Sequence, residues 1–247
     1  MRSDKDEHHE NEEEAAALND EAVPLFGSVP ISVLILFSVF AGIELLLLGG
    51  EYGLWGGPLA VGWRSELIQL FGFSDVLFDR MIVSGEFNFE WFYRLFTYPF
   101  VAGDFRQVIV GLVLIIGAGK YMAERVLFRT LVIYVLVCVV IGAVAFGVLI
   151  DEEQLLSGSY SIGFGLLGYY VYRQYVKARR GDITYFEAFR IPAFIVTLDF
   201  TFSFLFGAPW FGVARVAALL AGFAMSLAIS WRGTFSWSTL QHRLGRR

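Results

Sequence analysis

Arg106 and Arg215 stand inside stretches otherwise apolar enough to cross a bilayer, where an ionised guanidinium costs several kcal/mol unless it is paired or wetted. Glu44, Arg94, Asp104, Gln107 and Tyr160 are the other polar groups at the outer ends of such stretches, and Tyr160 is flanked by Ser159 and Ser161. Hydroxyls beside carboxylates would suit nucleophilic or acid–base chemistry, provided a neighbouring group accepts the proton. The usual acceptor is missing: the three histidines are His8, His9 and His242, all in the two tails. Arginine stays protonated, so Arg215 can hold an anion but cannot serve as a base. Tyr160 as a nucleophile would itself need a base, because its hydroxyl ordinarily ionises near pH 10.

The elements that position these groups are membrane helices. The chain has 247 residues, of which 56% are hydrophobic and 17% aromatic, an apolar share above that of soluble domains. Crossing about 30 Å of hydrocarbon takes roughly 20 apolar residues, and six segments qualify: 28–50, 95–117, 128–150, 158–176, 191–211 and 213–231. Residues 51–93 mix Trp63, Leu67, Leu70, Phe71, Phe78 and Met81 with Arg64, Glu66, Asp75, Asp79 and Arg80. That amphipathic pattern predicts a long loop lying in the interface between the first and second spans. The expected fold is therefore an all-α membrane protein, a six-helix bundle over 28–231, with an acidic disordered cytoplasmic tail (1–27) and a basic cytoplasmic tail (232–247).

Positive charge sets the direction. With the N-terminus inside, fourteen Lys and Arg fall in inner segments and two, Arg64 and Arg80, in outer ones, which predicts that both termini are cytoplasmic. The first 22 residues carry nine acids against Arg2 and Lys5, a composition too polar to fold. His8 and His9 lie among those acids, but nothing fixes the geometry of a metal site, so neither metal nor cofactor is expected. Cys138 is the single cysteine, which excludes an internal disulfide. The basic residues are distributed by topology rather than gathered on a soluble face, so nucleic-acid binding is not expected. The ending RLGRR suits anionic lipid on the inner leaflet.

On this topology Glu44, Arg94, Asp104, Arg106, Gln107, Tyr160 and Arg215 fall at similar depth near the outer side. They line a candidate polar cavity, with Arg215 expected to pair with Asp104 or Glu44. Asp199, at the middle of the fifth span, lies deeper and has no evident partner. Lys120 is at the cytoplasmic end of span two, out of reach of Ser159, which excludes a serine–lysine dyad. Gly158, Gly165 and Gly168, with Ala218 and Gly222, present small surfaces for close helix packing.

Three motifs carry a family resemblance: YRLFT at 93–97 with the FTYPFVAGDFRQVIVG that continues it, GSYSIGFGLLGYY at 158–170, and ARVAALLAGFAM at 214–225. In order and spacing they resemble the rhomboid intramembrane serine proteases. The resemblance places Tyr160 where the family has its nucleophilic serine and Arg215 where it has its histidine base. It places Ala102 and Gln107 at the family's second-helix histidines, and Gly111 at its oxyanion-stabilising asparagine. It therefore implies a catalytically degenerate member, a pseudoprotease in a bacterial inner membrane. Such a protein would bind transmembrane segments of client proteins in the lateral opening near helices two and five. Two alternatives remain open at this point: a serine endopeptidase with a displaced active site, and a small-solute transporter or channel using the outer cavity.

Overall fold

A computed structural model describes residues 29–85, 88–151, 155–205 and 210–234. The acidic tail at 1–27 and all but the first three residues of the basic tail at 232–247 lie outside the described residues.

The chain runs α1 (Ile31–Glu51), a 3₁₀ turn (Gly57–Gly62), α2 (Trp63–Phe71), β1 (Phe73–Ser74), α3 (Asp75–Ser84), α4 (Phe89–Thr97), a second 3₁₀ turn (Tyr98–Phe100), α5 (Phe105–Ala123), α6 (Phe128–Leu149), β2 (Leu155–Leu156), α7 (Tyr160–Arg180), α8 (Tyr185–Leu205) and α9 (Phe211–Thr234). Four of the helices are long and apolar enough to cross a membrane: α1, α6, α8 and the 211–230 part of α9. In α5 the apolar stretch, Gln107–Ala123, is shorter.

The second predicted span is displaced. It was expected as one helix over 95–117, but α4 ends at Thr97 and α5 begins only at Phe105. Pro99 has no N–H and restricts the residue before it, so the helix stops there. Asp104 then restarts it as an N-cap, its side chain accepting from the Gln107 N–H at 2.8 Å. Asp104 is thus a capping residue at the mouth of α5. The fifth span is displaced the other way, starting at Tyr185 instead of 191. Thr184 and Glu187 form a reciprocal capping box there: the Thr184 N–H donates to Glu187 at 2.9 Å and the Glu187 N–H to Thr184 Oγ1 at 3.2 Å.

The amphipathic stretch 51–93 holds three helices, not a simple loop. Its free carbonyls at the end of α2 are satisfied from α4: Tyr93 donates to Leu70 O at 2.8 Å, Arg94 to Gly72 O at 3.2 Å and Thr97 to Phe71 O at 3.2 Å. A two-residue antiparallel pairing, Phe73 with Leu156 and Ser74 with Leu155, fastens this region to the segment between α6 and α7.

At the centre lies α7, packed along α5, α6 and α9, with α8 resting chiefly on it. The crossing of α7 and α9 has no room for side chains. A Cβ on Gly222 would stand 2.2 Å from Gly165 O, and one on Gly168 would stand 2.3 Å from Leu219 O. Ala218, fully buried, completes the small surface on α9. Tyr134 of α6 ties the crossing together, its hydroxyl donating to Gly222 O at 2.6 Å with Gly165 O at 3.1 Å and Ser226 Oγ at 3.2 Å. Lipid is as apolar as leucine, so van der Waals fit and such interhelical hydrogen bonds carry the packing.

Candidate functional site

Tyr160 and Arg215 face each other. Tyr160 opens α7 and Arg215 lies in the first turns of α9, and the guanidinium carbon sits 3.9 Å above the centroid of the tyrosine ring. Its Nη1 donates to Asp199 Oδ2 at 2.7 Å and to Ser203 Oγ, both on α8. Arg215 is 3% exposed and Asp199 8%, so this ion pair is buried at the junction of α7, α8 and α9. Removing one partner of a buried pair leaves an uncompensated charge, and a desolvated cation over an aromatic face gains about 2 kcal/mol. The arrangement binds three helices: the guanidinium keeps its proton and serves as the counter-charge of the Asp199 carboxylate.

This corrects two expectations. Arg215 pairs with neither Asp104 nor Glu44, and Asp199 is not without a partner. The displacement of α8 explains both. In a helix running Tyr185–Leu205, Asp199 is six residues from the far end, about 9 Å of rise, which brings it level with Arg215. Ser203 lies one turn beyond Asp199 on the same face; the pattern DFTFS over 199–203 was the available signal for it.

Glu44 belongs to a separate cluster. The Arg64 fork grips its carboxylate at 2.7 and 3.2 Å, donates to Ala102 O at 3.0 Å and reaches Glu51 at 3.4 Å. One guanidinium thereby fastens α1, α2 and the α4–α5 connection. Arg64→Ala is expected to lower stability by roughly 2 kcal/mol, less than a fully buried pair because Arg64 and Glu51 keep some contact with solvent. Thermal unfolding of the purified protein reads this directly, and Arg64→Lys, which keeps the charge without the fork, should recover about half.

The seven residues expected around one outer cavity therefore divide. Arg94 caps α2, Asp104 caps α5, Glu44 is held by Arg64, and Tyr160 with Arg215 forms the buried stack. Arg106 lies in the first turn of α5, with only its backbone among the described atoms. Gln107 lines an open cleft of about 430 Å³, together with Ser65, Gln69, Gly103, Ser157 and Phe211. Its Oε1 accepts from the Gly103 N–H at 3.3 Å. Gly158 passes close by with φ +96, its N–H donating to Val101 O at 2.7 Å, and a Cβ there would stand 2.7 Å from Gln107 Oε1. Only glycine meets both demands.

The two serines beside Tyr160 are buried and turned to different neighbours. Ser159 fills the space at Gly111 of α5, where a Cβ would lie 1.9 Å from its Oγ, and Ser161 faces Gly142 of α6. Gly111 thus makes room for Ser159 and brings no donor of its own side chain to the site. No group of three or more His, Cys, Asp or Glu with metal-binding spacing occurs among the described residues.

No curated protein and no solved structure matches the chain. The Rhomboid domain matches residues 90–233, which takes in α4 through α9, the Tyr160–Arg215 stack and the glycine crossing. Since the match covers more than half of the sequence and coincides with helices apolar enough for the bilayer, this integral membrane protein belongs to the rhomboid family.

Proposed function

We propose that the protein is a non-catalytic rhomboid, a pseudoprotease that receives transmembrane segments of client proteins. The observation that carries this reading is Arg215 stacked on Tyr160 and held by Asp199. A permanently protonated group and a phenol occupy the places where the family resemblance puts a base and an alcohol. The proposal takes α1 and α5 to α9 as six membrane crossings, with both tails on the cytoplasmic side of a bacterial plasma membrane, as the distribution of positive charge favours.

The seat for a client is a groove of about 270 Å³ between α5 and α8, lined by Val113, Leu114, Gly117, Leu167, Tyr170 and Ile195. A Cβ on Gly117 would meet nothing within 4 Å, so this small residue serves no internal contact and leaves room for an incoming helix. Of the four candidate spans α8 is the least buried, at 22%, which suits a helix that yields to a partner. Beneath the groove Tyr160, Phe164 and Leu167 form a small core of their own with Leu114.

Gly117→Leu is expected to reduce recovery of co-purifying membrane clients by roughly tenfold, about 1.4 kcal/mol of affinity, while leaving the melting temperature within a few degrees. A protein that retains no client in mild detergent, with or without the substitution, sinks the binding role. Fluorophosphonate labelling or peptide cleavage abolished by Ser159→Ala, Ser161→Ala or Ser203→Ala would instead establish an endopeptidase.

A further inference from the structure

At the end of the bundle opposite the Tyr160–Arg215 stack, the last turn of α5 and the inner half of α7 bring aromatic and basic groups together. The Tyr121 ring stands edge-on to Tyr170 and Tyr169, with centroids 5.2 and 6.3 Å away. Arg125 lies over the same ring, 4.1 Å from the centroid, and donates to Tyr121 O at 2.6 Å, with the Glu124 carboxylate 3.3 Å from the same nitrogen. Arg173 follows Tyr169 by one turn of α7, and both Arg125 and Arg173 lie within electrostatic reach of the Tyr169 hydroxyl.

Two donors here are buried with no hydrogen-bond partner: the Tyr121 hydroxyl and Arg173 Nε. Buried donors left unmade are rare and destabilising, and two of them on residues that both neighbour Tyr169 call for an acceptor that comes from outside the chain. A hydroxyl and a guanidinium both donate to oxygen, and with Glu124 paired to Arg125 and no carboxylate on Arg173 among the described residues, a negative, oxygen-rich group suits them. Phosphate has that chemistry. The location selects its source: the apolar stretch of α5 ends at Ala123, so the cluster stands where hydrocarbon gives way to headgroups, and Lys120, Arg129 and Lys177 surround it in sequence.

We propose that Tyr121, Arg125, Tyr169 and Arg173 form a binding site for the phosphate of an anionic phospholipid, seated between the inner ends of α5 and α7. The site rests on the family's fold, the membrane and the orientation proposed above, not on the client-binding role. The test uses the full chain purified in detergent, with lipid retention read by native mass spectrometry against phosphatidylglycerol and phosphatidylcholine. Phosphatidylglycerol should be retained preferentially, with affinity falling about tenfold in Arg173→Gln and roughly threefold to fivefold in Tyr121→Phe. The second variant removes one oxygen and keeps the ring, so it reports even if the first folds poorly. Equal retention of the two lipids, or unchanged affinity in Tyr121→Phe, overturns the site. So does protection against heat by inorganic phosphate equal to that by phosphatidylglycerol, which would mean a soluble anion is bound.

Discussion

Asp199→Ala is expected to lower stability by about 3–5 kcal/mol, because it strands the Arg215 guanidinium, buried on three helices, without a counter-charge. For a chain of this size the melting temperature should drop on the order of 10 °C. The loss should fall unevenly. Asp199 and Ser203 tie α8 to α9 through Arg215, while the rest of α8 is mostly exposed apolar surface such as Phe194, Phe204 and Leu205. Hydrogen exchange in α8 should therefore accelerate more than in α6 or α7. The decisive arm is the double replacement Asp199→Leu with Arg215→Met: exchanging both charges for apolar groups of similar volume is often neutral or stabilising, so most of the lost stability should return. If the double variant is as unstable as Asp199→Ala, the cost lies in side-chain shape and not in the stranded charge, and the electrostatic account fails.

The same pair shows how far the sequence could be read. The charges were identifiable as the costly residues, since Arg215 and Asp199 interrupt long apolar runs. Their partnership was not, because hydropathy alone starts this helix at 191, six residues after its true start at Tyr185. Hydropathy finds the apolar centre of a span but is blind to its ends, which are set by single polar contacts: the Thr184–Glu187 box for α8, and Pro99 followed by the Asp104 cap for α5. Both signals were present in the sequence and were outweighed by the apolar count. α1 and α6, apolar over most of their length and without proline, lie within three residues of their expected bounds. Other features had no local signal at all. Arg64 looked like any interfacial cation, and only the fold brings Glu44, Glu51 and Ala102 O around it. Pairing of Phe73 with Leu156 joins residues far apart in a stretch too short to show a strand period. The complementarity of Gly111 and Ser159 likewise belongs to two helices at once.

Gly222→Val should rank with Asp199→Ala among the most damaging single substitutions in the transmembrane body. The added Cβ would stand 2.2 Å from Gly165 O and 2.8 Å from the Tyr134 hydroxyl, and the first of these is backbone, unable to swing aside as a side-chain tip can. Relief requires α9 to move away from α7, which breaks the Tyr134 bonds to Gly222 O and Gly165 O. Overpacking costs about 1–3 kcal/mol and each of the two lost buried hydrogen bonds about 1 kcal/mol more, so the sum of about 3–5 kcal/mol reaches the lower end of the stability of an ordinary domain. The expected outcome is a markedly lower yield of folded protein in detergent, read as a diminished monodisperse peak in size exclusion. Gly117→Val, an identical change facing open space, should leave the same peak intact. Should both variants elute alike, the α7–α9 crossing would have to be looser than its glycines require. Because the crossing also carries Arg215 and the start of α9 to Tyr160, its integrity sets the geometry of the stack as well as the stability of the bundle.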